Sequence, residues 1–109
     1  MKTEKKGDLE LFFEKNEWCQ GGYAQDSKGF FVDESSPEAV SFCLLGGMIK
    51  AVKLKPGGVG MGAVAIALRR CIVHRKSDPS TLYADIASWN DCKGRTKEDV
   101  LAMCHKAGV

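Results

Sequence analysis

Two groups of residues in this chain are of types that do chemistry: its thiols, and a polar cluster in Trp89-Asn90-Asp91-Cys92-Lys93-Gly94-Arg95-Thr96. A cysteine becomes a nucleophile when its pKa is lowered and a base stands within hydrogen-bond reach. Cys19 or Cys43, paired with His74 or His105, would give a cysteine-dependent hydrolase, and these are the only histidines. His105 directly follows Cys104, and adjacent residues of a helix point apart, so that pair is a poor dyad. Packing against a central helix is the simpler role for Cys43. In the polar cluster, Asn90, Asp91 and Arg95 would form a binding site, with Trp18 and Gln20 as further candidates. Each also has a local backbone task that competes with this reading. Trp89 would fill the core, Asn90 or Asp91 would serve carbonyls or amides at a helix end, and Gly94 would take a left-handed turn. Thr96 would cap the next helix, and Arg95 would pair with Asp91 across the turn.

Other constellations are weaker. Gly58, Gly60 and Ala63 fit G-x-G-x-x-A, but that fingerprint needs a preceding strand, and a helix is expected there. A Walker-type loop would carry Lys-Ser or Lys-Thr after its last glycine, where Ala63-Val64 stand. The segment reads as a connector into a helix N-terminus. Arg69, Arg70, Arg75, Lys76, Lys93, Arg95 and Lys97 raise nucleic-acid binding, yet no reading element accompanies them and solvated helix faces account for them. No H-x-x-x-H, C-x-x-C or carboxylate cluster has metal-ligand spacing, so neither a metal nor a cofactor is expected. The five cysteines are an odd set without close pairing, which suits reduced and mostly buried thiols.

The elements that must position these groups follow from periodicity and punctuation. The length of 109 residues and an apolar share of 44% suit one domain, 1–109, with 1–7 as an N-terminal tail. Leu9, Phe12 and Phe13 place a helix over 8–16, with Asp8 as its cap. Asp26-Ser27-Lys28-Gly29 supplies turn chemistry for a β-hairpin over 23–32. Ser36-Pro37-Glu38 is a helix start, and Phe42, Leu45, Ile49 and Val52 carry that helix to about Leu54. Gly46-Gly47 within it predicts a close helix crossing against Ala63 and Ala67. Residues 60–74 are apolar nearly all round, which places that helix at the centre of the domain. Asp78-Pro79-Ser80-Thr81 opens another helix with Leu82, Ile86 and Trp89 inward. Thr96 caps the last, which carries Val100, Leu101, Cys104 and Ala107, with Asp99 completing a capping box. The fold class is mainly α: a compact domain of about five helices with one short hairpin.

Trp18-Cys19-Gln20-Gly21, Asp26 with Gly29, Cys43-Leu44-Leu45-Gly46-Gly47, Trp89-Asn90-Asp91, Gly94-Arg95-Thr96 and Val100-Leu101 together resemble an uncharacterised family of small bacterial and bacteriophage proteins, a domain of unknown function. Lys93 stands where that pattern commonly has proline, and Gly47 where alanine is usual. The resemblance implies an origin and a fold, and it assigns no activity.

Net charge is +2, spread unevenly. Residues 1–41 hold five Lys against nine Asp and Glu (−4), and residues 42–109 hold eleven Lys and Arg against five Asp and Glu (+6). Such asymmetry orients a charged partner. No stretch reaches the roughly 18 apolar residues of a membrane span, and no signal-type segment opens the chain, so a cytoplasmic location is expected. The resulting expectation is a phage- or prophage-like accessory protein that modulates or inhibits a host macromolecule, most simply a host protein, with an anti-defence role among the options. The cysteine-dependent hydrolase and the nucleic-acid binder are the alternatives.

Overall fold

In the computed structural model of the chain, the described residues are 6–53, 60–72 and 79–109. Five α-helices and four two-residue strands pack around one apolar core. The first helix, α1 (Asp8–Lys15), buries Leu9 and Phe13 at i and i+4 spacing. Its N-cap is Gly7 rather than Asp8, which is the first residue of the helix. The amides of Leu9 and Glu10 instead donate to the backbone oxygen of Val109, at 2.6 and 3.3 Å, so the far end of the chain caps this helix. Gly7 therefore belongs to the packed body rather than to a tail. Residues 1–5 lie outside the described residues.

The hairpin forms as expected between β2 (Ala24–Gln25) and β3 (Phe31–Val32). Asp26 builds its turn: the carboxylate accepts from the amides of Lys28 and Phe30, and Gly29 takes φ +86°. Two further strands were not foreseen. β4 (Ser41–Phe42) runs antiparallel to β2, and β1 (Glu17–Trp18) runs parallel to β4, giving the order β1-β4-β2-β3. The register aligns Trp18, Phe42, Ala24 and Val32 in one cross-strand row and Glu17, Ser41, Gln25 and Phe31 in the other. Ala24 and Phe42 of the first row are buried, while Phe31 of the second is exposed.

That extra pairing corrects the expected helix at Ser36. Ser36, Pro37 and Glu38 make a hydrogen-bonded turn, with Ser36 Oγ accepting from the Glu38 amide, and the chain then extends. Ser41 and Phe42 are taken by two neighbouring strands, which outweighs the local start signal. The helix α2 (Leu44–Met48) begins only at Cys43, its N-cap, whose sulfur accepts from the Gly46 amide at 3.3 Å. The later start also changes its phase: Leu44 and Met48 are buried, and Leu45 and Ile49 only partly. α2 widens directly into a π-helical turn, Ile49–Lys53.

Gly46 and Gly47 do permit close approach, but not to Ala63 and Ala67. A Cβ on Gly46 would overlap the Tyr23 carbonyl oxygen, and one on Gly47 would lie 2.5 Å from Phe13 Cζ. The hairpin backbone and an α1 ring fill the notch. The helix α3 (Met61–Ile72) is also less central than its composition implies. Val64, Ala65, Leu68 and Arg69 are buried, whereas Ile66 is 43% exposed and Gly62, Ala63 and Arg70 face outward. Apolar composition alone did not reveal that one side of this helix is uncovered. A 3₁₀ turn, Pro79–Thr81, leads into α4 (Leu82–Asn90), with Ile86 fully buried and Leu82 and Trp89 packed beside it. α5 (Lys97–Ala107) has the full capping box of Thr96 and Asp99 and ends at Gly108 in the left-handed region.

Candidate functional site

The polar cluster gathers around the C-terminal end of α4. Asn90, 1% exposed, uses its whole side-chain amide. Its Oδ1 accepts from Trp18 Nε1 at 2.6 Å and from the Leu44 amide at 3.0 Å. Its Nδ2 donates to the Cys19 carbonyl at 3.2 Å and to Asp91 Oδ1 at 2.9 Å. One side chain thus joins β1, the following loop, the start of α2 and the end of α4. A buried amide with every donor and acceptor paired is a structural hub, because removing it strands partners without water.

Gln20 and Asp91 complete the weld. Gln20 Nε2 donates to the carbonyls of Asn90 and Cys92, at 2.9 and 3.0 Å, satisfying acceptors that α4 leaves at its end. Asp91 Oδ1 also accepts from the Gly21 amide at 3.0 Å. Of the five sequence-predicted site residues, Trp18, Gln20, Asn90 and Asp91 therefore form one network. Arg95 sits apart from it. The expected Arg95–Asp91 pair is replaced by a guanidinium 3.9 Å from the Trp89 ring centroid, with Nε donating to the Trp89 carbonyl at 2.9 Å. Gly94, at φ +87°, supplies the turn that lets Arg95 fold back.

Beside this network lies a small open cavity of about 180 Å³, whose walls include Gly22, Tyr23, Cys43, Leu45, Ala87 and Asp91. Asn90 also lines it, so two of the sequence-predicted binding residues, Asn90 and Asp91, meet at this cavity. Leu45 and Ala87 carry no sequence signal for such a role, since the cavity arises from how α2, α4 and the hairpin meet.

The two thiols considered as nucleophiles, Cys19 and Cys43, are both buried. Burial pushes the Cys19 thiol up, against the Ser41 hydrogen bond, and the Asp91 charge adds to the rise. Burial likewise raises Cys43, opposed by backbone amides of Gly46 and Leu45, with Cys19 and Asp91 reinforcing it. Cys43 is the N-cap of α2. Cys104 is raised further, to about 12, chiefly by burial. His105 Nδ1 lies 3.2 Å from Glu10 Oε1, and His74 falls outside the described residues.

Among the described basic residues, Arg69 and Lys97 lie beside carboxylates. Arg69 is buried, with Nη1 3.6 Å from Asp85 Oδ2. Lys97 Nζ is 3.9 Å from Glu17. Arg75 and Lys76 lie outside the described residues, as do Gly57 and Gly58 of the glycine-rich connector. Among the described residues, no three His, Cys, Asp or Glu side chains cluster as a metal site would require, and no helix is long and apolar enough to cross a membrane.

A second feature escaped the reading of motifs. Tyr23, Phe30 and Phe31 are 50%, 68% and 58% exposed, and Val40 is exposed nearby in the chain. Phe31 lies across Gly21 and Gly22, where added Cβ atoms would meet its ring. Phe30 and Phe31 had been read only as hairpin strand residues.

No curated protein and no solved structure matches the chain. Residues 9–108 match the model of a family of unknown function (DUF6197), and the chain belongs to that family.

Proposed function

We propose, from membership in a family without an assigned activity, that this protein is a phage- or prophage-like accessory factor, acting in the cytoplasm, that binds a host protein through its aromatic hairpin. The observation that carries this is the exposure of Tyr23, just before β2, and of Phe30 and Phe31, at the start of the edge strand β3, within nine residues. Large apolar side chains grouped on a surface mark contact sites more often than singly scattered ones do. Aromatic residues dominate the centres of protein interfaces.

Charge favours a protein over a nucleic acid at this face. Asp26, Asp33, Glu34 and Glu38 lie in or next to the hairpin, with Lys28 as the one cation between Gly22 and Val40. Phosphate would be repelled there, whereas a partner surface with an apolar centre and a basic rim is complementary. The phage or prophage origin and the modulation of a host enzyme or defence system rest on the sequence resemblance. The raised thiols of Cys19 and Cys43 give the hydrolase alternative no support.

The test compares the wild-type protein with Phe30→Ser as bait in host lysate, both checked for equal thermal stability. A partner held by the wild type, released by Phe30→Ser and weakened by salt is the expected result. Equal recovery by both baits, or no partner with either, would overturn the proposal. So would salt-sensitive DNA or RNA binding that Phe30→Ser leaves intact.

A further inference from the structure

We infer that the cavity beside Asp91 is a subsite for a lysine side chain of the bound partner; this deepens the hairpin reading and rests on it. The cavity shares Gly21, Gly22 and Tyr23 with the hairpin entry, and Phe31 packs over those two glycines, so it is continuous with the aromatic face. A partner covering the hairpin would lie across its mouth.

The lining selects the occupant. Leu45 and Ala87 offer apolar surface to an aliphatic stem, while Asp91, itself exposed, offers one carboxylate to its tip. Among the described residues Asp91 has no ion pair, so no described side chain neutralises its charge. The Asp91 charge also reaches a cavity wall, where it adds to the burial that raises the Cys43 thiol. The C-terminal end of α4 adds its own partial negative charge at the same place.

Hydrogen bonding distinguishes lysine from arginine. Asp91 Oδ1 already accepts from the Gly21 amide and from Asn90 Nδ2, which holds the carboxylate in one orientation. Only Oδ2 is left for a ligand. A guanidinium binds carboxylates best through both oxygens, whereas an ammonium is a point charge satisfied by one.

The experiment titrates the full-length, isotope-labelled protein with Nα-acetyl-lysine amide and follows backbone amide resonances by NMR. Saturating shifts are expected at Gly21, Gly22, Leu45 and Ala87, smaller with the arginine counterpart and absent with norleucine. Asp91→Asn keeps an oxygen for Gly21 and should lose the response. Ala87→Leu fills the cavity, leaves the carboxylate in place, and should lose it too. Shifts that norleucine reproduces, that Asp91→Asn preserves, or that never saturate would overturn the subsite. Phe30→Ser should leave the lysine response unchanged. If the subsite fails while Phe30→Ser still releases the partner, the hairpin proposal stands and only this inference falls.

Discussion

Asn90 shows how far a single side chain was readable. Its place at the end of a helix, before Asp91 and Gly94, marks it for a local backbone task. Three of its four side-chain partners lie 46 to 72 residues away, and only Asp91 is adjacent. Nothing in the spacing of Trp18, Leu44 and Asn90 encodes that meeting, because a hydrogen bond across the fold leaves no periodic trace. Asn90→Ala should cost about 2–4 kcal/mol, since the Trp18 indole and the Leu44 amide both lose their acceptor. Urea denaturation followed by tryptophan fluorescence would measure it, and a midpoint equal to wild type would mean that water replaces the amide. Cys104 gives a second residue-scale outcome. Burial, with the Glu10 charge, pushes its thiol from the ordinary 9.0 up to about 12, so the folded state holds a proton that the unfolded state releases. Its contribution is complete below pH 9 and is lost as pH rises toward 12, by at most on the order of 4 kcal/mol. Cys104→Ala should show a shallower fall in stability across that window than wild type does.

At the scale of elements, local rules succeeded where neighbours did not contest them. The box of Thr96 and Asp99 formed because α5 begins in an exposed turn with no competing partner. The start at Ser36 failed because Ser41 and Phe42 found pairing on both edges, each bond fixed by distant residues. The glycines make the same contrast measurable. Gly46→Ala drives a Cβ into the Tyr23 carbonyl, fixed backbone that cannot rotate away, and should cost on the order of 1–3 kcal/mol or more. Gly62→Ala meets nothing within 4 Å on exposed α3 and should add about 0.5–1 kcal/mol through helix propensity. Thermal unfolding of the two variants should therefore move in opposite directions. A shift of the same sign in both would show that helix propensity, not contact, governs position 46.

Over the whole molecule, closure comes from contacts between segments far apart in the chain. Val109 accepts from α1, and Gly7 lies so close that a Cβ there would overlap the Val109 backbone. Gly7→Ala should thus destabilise by about 1–3 kcal/mol although it stands near the beginning of the sequence. Guanidinium denaturation would test this, and no change would mean that Val109 yields freely. The thiols supply a further check. Brief iodoacetamide treatment with peptide mass spectrometry should modify exposed Cys92 first and buried Cys19, Cys43 and Cys104 slowly. Fast modification of Cys19 or Cys43 would reopen the case for a nucleophile.

By itself the sequence determined the helical class, the hairpin with its Asp26–Gly29 turn and the cap of α5. These depend on neighbours within a few residues, where backbone hydrogen bonding and side-chain period are enough. Only the tertiary structure decided the parallel pairing of β1 with β4, the partner of Gly46, the open side of α3 and the cavity at Asp91. Each of these arises when surfaces distant in the chain compete for the same polar groups and the same volume, and that competition has no local signature.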